Sequence, residues 1–290
     1  MTQINDKLKE ALIAAGYSGT NNDMEKAYYT ANPKGSYPAY IASLKALGYT
    51  GTINDMELAY YVAGLGGGGS DDDFASVTTL LSFEGANGST TITDNSNTGA
   101  TWTAGGTSAI DTSQFKFGSS SYSVDGTISD YASTPDATAH ELGSGLWTIE
   151  GWWRWRSSPS VYQGLIGKWG SGVKSYGILL NGSQNKLQLF LSTNGAASII
   201  KIDQAWTPTL DTWYAIAADF DGTTYRLYVD GAVLGTATTL VALFDAGATL
   251  NVGSVDNNDF DGHIDEVRIT KGVARYAGAY TPATSAFPTS

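Results

Sequence analysis

Trp213-Tyr214-Ala215-Ile216-Ala217-Ala218-Asp219-Phe220, followed after four residues by Tyr225-Arg226-Leu227-Tyr228-Val229-Asp230-Gly231-Ala232-Val233-Leu234-Gly235, decides the fold class. The first run is apolar at both parities, as expected of a central strand buried on two faces. The second alternates around Asp230-Gly231, which supplies the positive φ angles of a tight hairpin turn. Leu187, Leu189 and Leu191 share one parity and mark another strand. From Val77 onward short runs of this kind are separated by Gly, Asn and Asp clusters. Many strands without edge-breaking prolines predict two sheets packed face to face.

Composition agrees with that class. The 290 residues are 42% hydrophobic but only 15% charged, with 35 Gly and no Cys. Cys-ligated zinc, disulfide scaffolds and Cys nucleophiles are excluded. A net charge of −12, from 16 basic and 28 acidic side chains, repels phosphate backbones and anionic membrane surfaces. Nucleic acid is therefore excluded as a partner. The opening residues Met1-Thr2-Gln3-Ile4-Asn5-Asp6 lack a signal-peptide pattern, and no run approaches the ~20 apolar residues of a membrane span, so synthesis in a host cytoplasm without membrane insertion is expected.

Upstream of the β-rich region the pattern is helical and repeated. Gly16-Tyr17-Ser18-Gly19-Thr20-Asn21-Asn22-Asp23-Met24-Glu25-Lys26-Ala27-Tyr28-Tyr29 recurs 32 residues later as Gly48-Tyr49-Thr50-Gly51-Thr52-Ile53-Asn54-Asp55-Met56-Glu57-Leu58-Ala59-Tyr60-Tyr61, with 11 of 14 positions identical. Apolar residues at i, i+3, i+4 spacing precede each copy, Gly16 and Gly48 suit a left-handed helix end, and Asn22…Glu25 and Asn54…Glu57 make capping boxes. Residues 1–63 are thus expected to form four short helices, a docking domain with no catalytic group. The tyrosine pairs Tyr28-Tyr29 and Tyr60-Tyr61 read as core packing in preference to a binding stripe. Residues 64–76, containing Gly66-Gly67-Gly68-Gly69-Ser70 and Asp71-Asp72-Asp73, read as a flexible tether, natural in preference to an engineered linker. The repeat resembles those near the ends of tailed-bacteriophage virion proteins.

Across residues 77–290 the order of motifs carries a second resemblance. Leu80-Leu81-Ser82-Phe83-Glu84-Gly85 is followed by Gly118-Ser119-Ser120-Ser121-Tyr122-Ser123-Val124-Asp125-Gly126, by Trp147-Thr148-Ile149-Glu150-Gly151-Trp152-Trp153-Arg154, by Asp211-Thr212-Trp213-Tyr214, and by Phe260-Asp261-Gly262-His263-Ile264-Asp265-Glu266-Val267-Arg268-Ile269 before Gly272-Val273-Ala274-Arg275-Tyr276. This series resembles the laminin-G-like, concanavalin A-like jelly-roll domains. The expected fold is therefore mainly β, a concanavalin A-like sandwich preceded by a small all-α repeat domain. Such sandwiches host lectins, glycanases, adhesion modules and structural virion domains, so the resemblance leaves function open.

Glycanases of this superfamily present two carboxylates on a Glu-x-Asp-x-x-Glu strand. Here Glu150 is followed at the equivalent position by Trp152, and the two histidines, His140 and His263, have no Ser or acid constellation, so no catalytic residue is assigned and the chain is not expected to be an enzyme. Alternation from Trp147 puts Trp147, Ile149, Trp153 and Trp155 toward the core and Glu150, Trp152, Arg154 and Arg156 on the other face. Glu150, Trp152 and Arg154 form a candidate glycan platform, in which a ring stacks on sugar C–H faces and polar neighbours take hydroxyls. Trp152 packed beneath a loop or a neighbouring protomer fits the same pattern.

The resemblance also implies a structural Ca²⁺, with Glu84, Asp94 and Asp265 as its ligands joining the first and last strands. Asp265 shares parity with Val267 and Ile269 and is expected to face the core, where accepting backbone N–H bonds is the alternative to a metal. Three functions remain. The first is a virion structural protein (capsid decoration, head fibre or tail appendage) that docks through residues 1–63 on capsid or tail proteins and displays the sandwich at the virion surface, where it adheres to a host glycan. The second is a free lectin or adhesion module, and the third, disfavoured, is a glycanase. Analogy with fibres suggests a homo-oligomer, a trimer; a capsid organising the copies is the alternative.

Overall fold

The computed structural model describes residues 71–290, apart from 198 and 239–241. The expected helices of residues 1–63 and residues 64–70 of the expected 64–76 tether lie outside the described residues, and the end of that tether is corrected to part of the folded unit, with a 3-10 turn at Phe74–Ser76. Asp72–Ser290 form one compact unit. Its strands in chain order are β1 (Val77–Leu81), β2 (Thr103–Ala104), β3 (Ala109–Asp111), β4 (Ser121–Asp125), β5 (Ala132–Thr134), β6 (Trp147–Trp155), β7 (Tyr162–Gly170), β8 (Val173–Asn181) and β9 (Lys186–Gly195). They continue with β10 (Ile199–Ala205), β11 (Trp213–Phe220), β12 (Tyr225–Val229), β13 (Ala232–Ala237), β14 (Leu250–Val252), β15 (Ser254–Val255), β16 (Asn258–Asp259) and β17 (Asp261–Lys271).

Two large antiparallel sheets result, with β15 and β16 paired as a separate two-stranded ribbon. One has the order β13-β12-β11-β6-β17-β4-β3, with β1 also paired to β17; the other runs β10-β9-β8-β7-β14-β5-β2. As the sequence predicts, β11 is a central strand between β6 and β12, and Asp230-Gly231 closes the β12–β13 hairpin with φ angles of 48° and 77°. The core lies between the sheets. Trp147, Ile149, Trp153 and Trp155 face it from β6, and Leu187, Leu189 and Leu191 from β9, all fully buried. Trp155 meets Phe260 edge-on at 5.1 Å, a geometry that suits the aromatic quadrupole.

Strand β17 organises the larger sheet. Along its edge away from β6, β4 pairs with Asp261–Ile264 and β1 with Val267–Thr270, so the two partners meet at Asp265-Glu266. A bulge sits there, with Glu266 at φ 51°. The extra residue resets the alternation, and this corrects one expectation. Ile264, Val267 and Ile269 face the core, whereas Asp265 lies opposite Trp152 on the outer side of the sheet.

The outer side is partly covered by the chain after β17, here called the strap. It is pinned where the Gly272 amide bonds to the Leu146 carbonyl, the Arg275 amide to Thr148 Oγ1, the Ala277 amide to Asp219 Oδ2, the Tyr280 amide to the Gly231 carbonyl and the Phe287 amide to Glu266 Oε2. Its Tyr276 and Tyr280 rings stack at 3.5 Å, and Phe287 packs against Val77 and Leu80.

Candidate functional site

The strap decides the fate of the first candidate site. Glu150, Trp152 and Arg154 do share the outer face of β6, yet Glu150 is 3% and Trp152 5% exposed. Arg268 reaches Glu150 Oε1 through Nη2 at 2.8 Å and Nε at 3.0 Å, while the Tyr276 hydroxyl donates to Oε2. Trp152 lies under the segment before β4, with Phe117 edge-on at 5.6 Å and Lys116 Nζ 4.0 Å from its ring centre. Arg154 pairs with Asp211 at 2.8 Å. The expected solvent-facing platform is thus corrected to a packed layer, the second of the two readings left open for Trp152. A tryptophan covered on its outer face presents no ring to a sugar.

The three carboxylates assigned to calcium are engaged separately. Asp94 accepts from the amides of Leu80, Ser96 and Ala100 and from Trp102 Nε1, at 2.9–3.3 Å. Glu84 accepts from the Ser119 amide and hydroxyl. Asp265 Oδ2 accepts from the amides of Lys116 and Phe117 at 2.8 and 3.1 Å. Its Oδ1 is buried without a partner, and burial pushes the carboxyl up to about 8. Among the described residues no three His, Cys, Asp or Glu side chains gather as a metal would require. As arranged here, each of the three carboxylates ties a loop to a strand.

An open cleft of about 470 Å³ lies instead at the other end of the same face, over β3 and β4. Its floor is Ala109 and Ser123, paired across the two strands, and the next side chain in that row is His263 of β17. Residues 87–89 wall it by adding backbone bonds to the free edge of β3, the Gly88 amide to the Ile110 carbonyl and the Ile110 amide to the Ser89 carbonyl, both at 2.8 Å. Asn87 Oδ1 accepts from the Thr112 amide at 3.2 Å.

Acids stand at each end. Asp111 is four residues along the ladder from the level of Asp125, about 13 Å at ~3.3 Å per residue. Burial raises Asp111, but hydrogen bonds from Ser113 and His263 outweigh it and hold the carboxyl below its ordinary value. At the far end Thr107 bridges two acids, its hydroxyl 2.9 Å from Asp130 Oδ2 and 3.4 Å from Asp125 Oδ2. Hydrogen bonds from the Thr127 hydroxyl and amide bring Asp125 down to about 2. His263, 4% exposed, sets Nε2 3.2 Å from Asp111 Oδ2, while its Nδ1 has no hydrogen-bond partner; burial lowers its pKa.

Sequence reasoning missed this cleft. Asp111, Thr107 and Asp130 belong to short strands and turns with no motif, and Asp125-Gly126 reads as a turn. The one available signal was the parity of His263 beside a serine-rich strand.

The chain is thus a two-sheet β-sandwich with its outer face part strapped and part open. A family model described as the concanavalin A-like lectin/glucanases superfamily matches residues 125–275, more than half of the chain, and the chain belongs to that family. No curated protein matches it in sequence. Among solved structures it is similar to the binding domain of Paraclostridial Mosquitocidal Protein 1 (14% identity, TM-score 0.57, covering 71% of this chain and 51% of that one) and to the botulinum neurotoxin serotype G binding domain (14%, 0.54, 68% and 48%). It is also similar to Domain 4 of AbnA, a GH43 extracellular arabinanase from Geobacillus stearothermophilus, solved with arabinotriose (19%, 0.52, 72% and 96%). The chain spans about half the length of the first two, and at these identities the likeness is one of fold.

Proposed function

We propose that the sandwich is a carbohydrate-binding module that binds without hydrolysing. The observation that carries this reading is the open β3–β4 cleft, whose hydroxyl, amide and carboxylate lining suits sugar hydroxyls. The fold it shares with an arabinanase domain solved with arabinotriose supports the reading. The test is a glycan array probed with the full chain and with Ala109→Trp, a half-buried outward position where the indole fills the cleft floor and leaves the core untouched. Binding to a subset of glycans that the substitution abolishes is the expected result. Signal from the unaltered chain that survives Ala109→Trp would remove the cleft from the reading.

A second reading adds where the module works. The 32-residue repeat, the Gly-rich run after it and the absence of cysteine favour attachment to a virion by residues 1–63, with the sandwich outward and many copies turning weak contacts into avidity. Cryo-electron microscopy and mass spectrometry of particles from the source test it. Density for residues 1–63 against a capsid or tail protein is expected, and particles lacking the chain would leave a free lectin.

A further inference from the structure

We propose that Asn194 is a self-modification site, where the side-chain amide closes on the Gly195 nitrogen, is lost as ammonia, and leaves aspartate or isoaspartate at the end of β9. The sequence holds three Asn–Gly pairs, Asn87-Gly88, Asn181-Gly182 and Asn194-Gly195. In each the glycine has no Cβ to hinder its nitrogen, which makes the pair competent for this chemistry by sequence alone. The step is an intramolecular acyl transfer. The Gly195 nitrogen attacks Asn194 Cγ and its proton passes to water; the Cγ–Nδ2 bond breaks and Nδ2 leaves as ammonia. The cyclic imide then takes up a water and opens at either carbonyl, to aspartate or to isoaspartate. Nothing but water enters.

Hydrogen bonding separates the three pairs. The Gly88 amide donates to the Ile110 carbonyl at 2.8 Å and the Gly182 amide to the Val161 carbonyl at 3.0 Å, so both nucleophiles are tied into backbone ladders or turns. Asn181 is also 1% exposed, donates to the Tyr162 hydroxyl at 2.9 Å and accepts from the Ser183 hydroxyl at 2.8 Å. Asn194 differs on three counts. Its side chain is exposed, so ammonia leaves directly into solvent. Its Oδ1 accepts from the amides of Ala196 and Ala197 at 3.1 and 2.9 Å. That oxygen gains the negative charge when Cγ is attacked, and two fixed N–H groups aimed at it act as an oxyanion hole. The Gly195 amide donates to the Ser192 hydroxyl at 3.1 Å, and the same hydroxyl donates to the Ala197 carbonyl at 2.6 Å, which holds the turn carrying the second donor. Glycine is required beside Asn194 for a separate reason: its φ is 75°, and the Phe244 ring lies 2.5 Å from where a Cβ would stand. The fold therefore keeps the reactive pair and presents it.

The experiment is peptide-mapping mass spectrometry of the full chain held in neutral buffer, folded and in guanidinium, with conversion read at 87, 181 and 194. In the folded chain, position 194 is expected to convert about ten-fold or more faster than the other two, whereas in denaturant, where local sequence alone acts, the three rates converge. Folded conversion at 194 no faster than at 87 or 181 overturns the proposal. So does a folded rate at 194 that falls below its own rate in denaturant as far as the other two do. Ala197→Pro removes one donor to Oδ1 and is expected to slow folded conversion at 194 by about ten-fold, with the rate in denaturant unchanged. Melting curves establish that the variant folds, and an unchanged folded rate in it overturns the oxyanion role of the turn.

Discussion

Two halves of one sheet face behave in opposite ways. Around Trp152 the outer side of β6, β11 and β17 is closed by the strap and by the segment before β4; over β3 and β4 the same face is open. Both halves alternate as outward-facing strand positions, so parity alone does not separate them. What separates them is how the acids are satisfied. In the closed half, Glu150, Asp219, Asp265 and Glu266 are buried and accept bonds from Arg268, Tyr276 and the amides of Ala277, Lys116, Phe117 and Phe287. In the open half, Asp111 and Asp125 keep solvent access and a lowered tendency to hold a proton. Along β6, β11 and β17, buried carboxylates thus mark where the chain has folded over its own sheet, whereas the buried Asp130 beside the open cleft is held by Thr107.

Breaking the closed half has the largest expected effect. Glu150→Ala removes the carboxylate that Arg268, 6% exposed, holds at 2.8 Å, and removing one partner of a buried pair costs about 3–5 kcal/mol. Denaturant unfolding measures it; a loss under about 1 kcal/mol would mean that the layer is solvated. Phe287→Ala follows at about 3 kcal/mol, because the ring packs against Val77 and Leu80 and lies 3.9 Å beneath the Arg268 guanidinium. In both variants that remain folded, affinity at the open cleft is expected to be unchanged, and a parallel loss there would couple the two halves.

The pH response distinguishes them next. Burial raises Asp265 to about 8 and Glu266 to about 7, above the unfolded values of 3.8 and 4.5. The folded chain therefore keeps protons that the unfolded chain has released, and their contribution to stability falls as pH rises from about 4 and levels off above about 8. Asp111 and Asp125, with lowered values, act in the opposite sense and mainly below about pH 4. Melting temperature against pH is expected to decline between about 4 and 8 in the native chain, and Asp265→Asn is expected to flatten that decline. A variant whose slope matches the native one would assign the effect to other groups.

The architecture was legible in the sequence because it rests on local rules. The Asp230-Gly231 turn, the apolar run of β11, and the Trp147, Ile149, Trp153, Trp155 parity all fix side-chain direction from neighbouring residues alone. The site was less legible because it rests on contacts distant in sequence. Trp152 is covered by Phe117, 35 positions earlier, and Glu150 by Tyr276, 126 later. Asp265 escaped parity for a different reason: the bulge at Glu266 adds one residue between Ile264 and Val267, and neither glycine nor proline marks it. The cleft, built by strands of three and five residues, carries too short a pattern to read.

The smallest expected effect probes the seam between the halves. Lys116 sits where the closed half ends, its amide bound to Asp265 and its ammonium 4.0 Å from the Trp152 ring centre. Lys116→Ala keeps the backbone bond to Asp265 and removes only the cation and its stem, so about 0.5–1 kcal/mol should be lost. Lys116→Met separates the two parts, since it restores the stem's cover over the indole without the charge. If Met recovers most of the loss, the seam is held by burial; if Met matches Ala, the charge over the ring holds it. A gain in stability from either change would mean that the desolvated ammonium costs more than the ring returns, and that the edge of the closed half is kept for a reason other than its own stability.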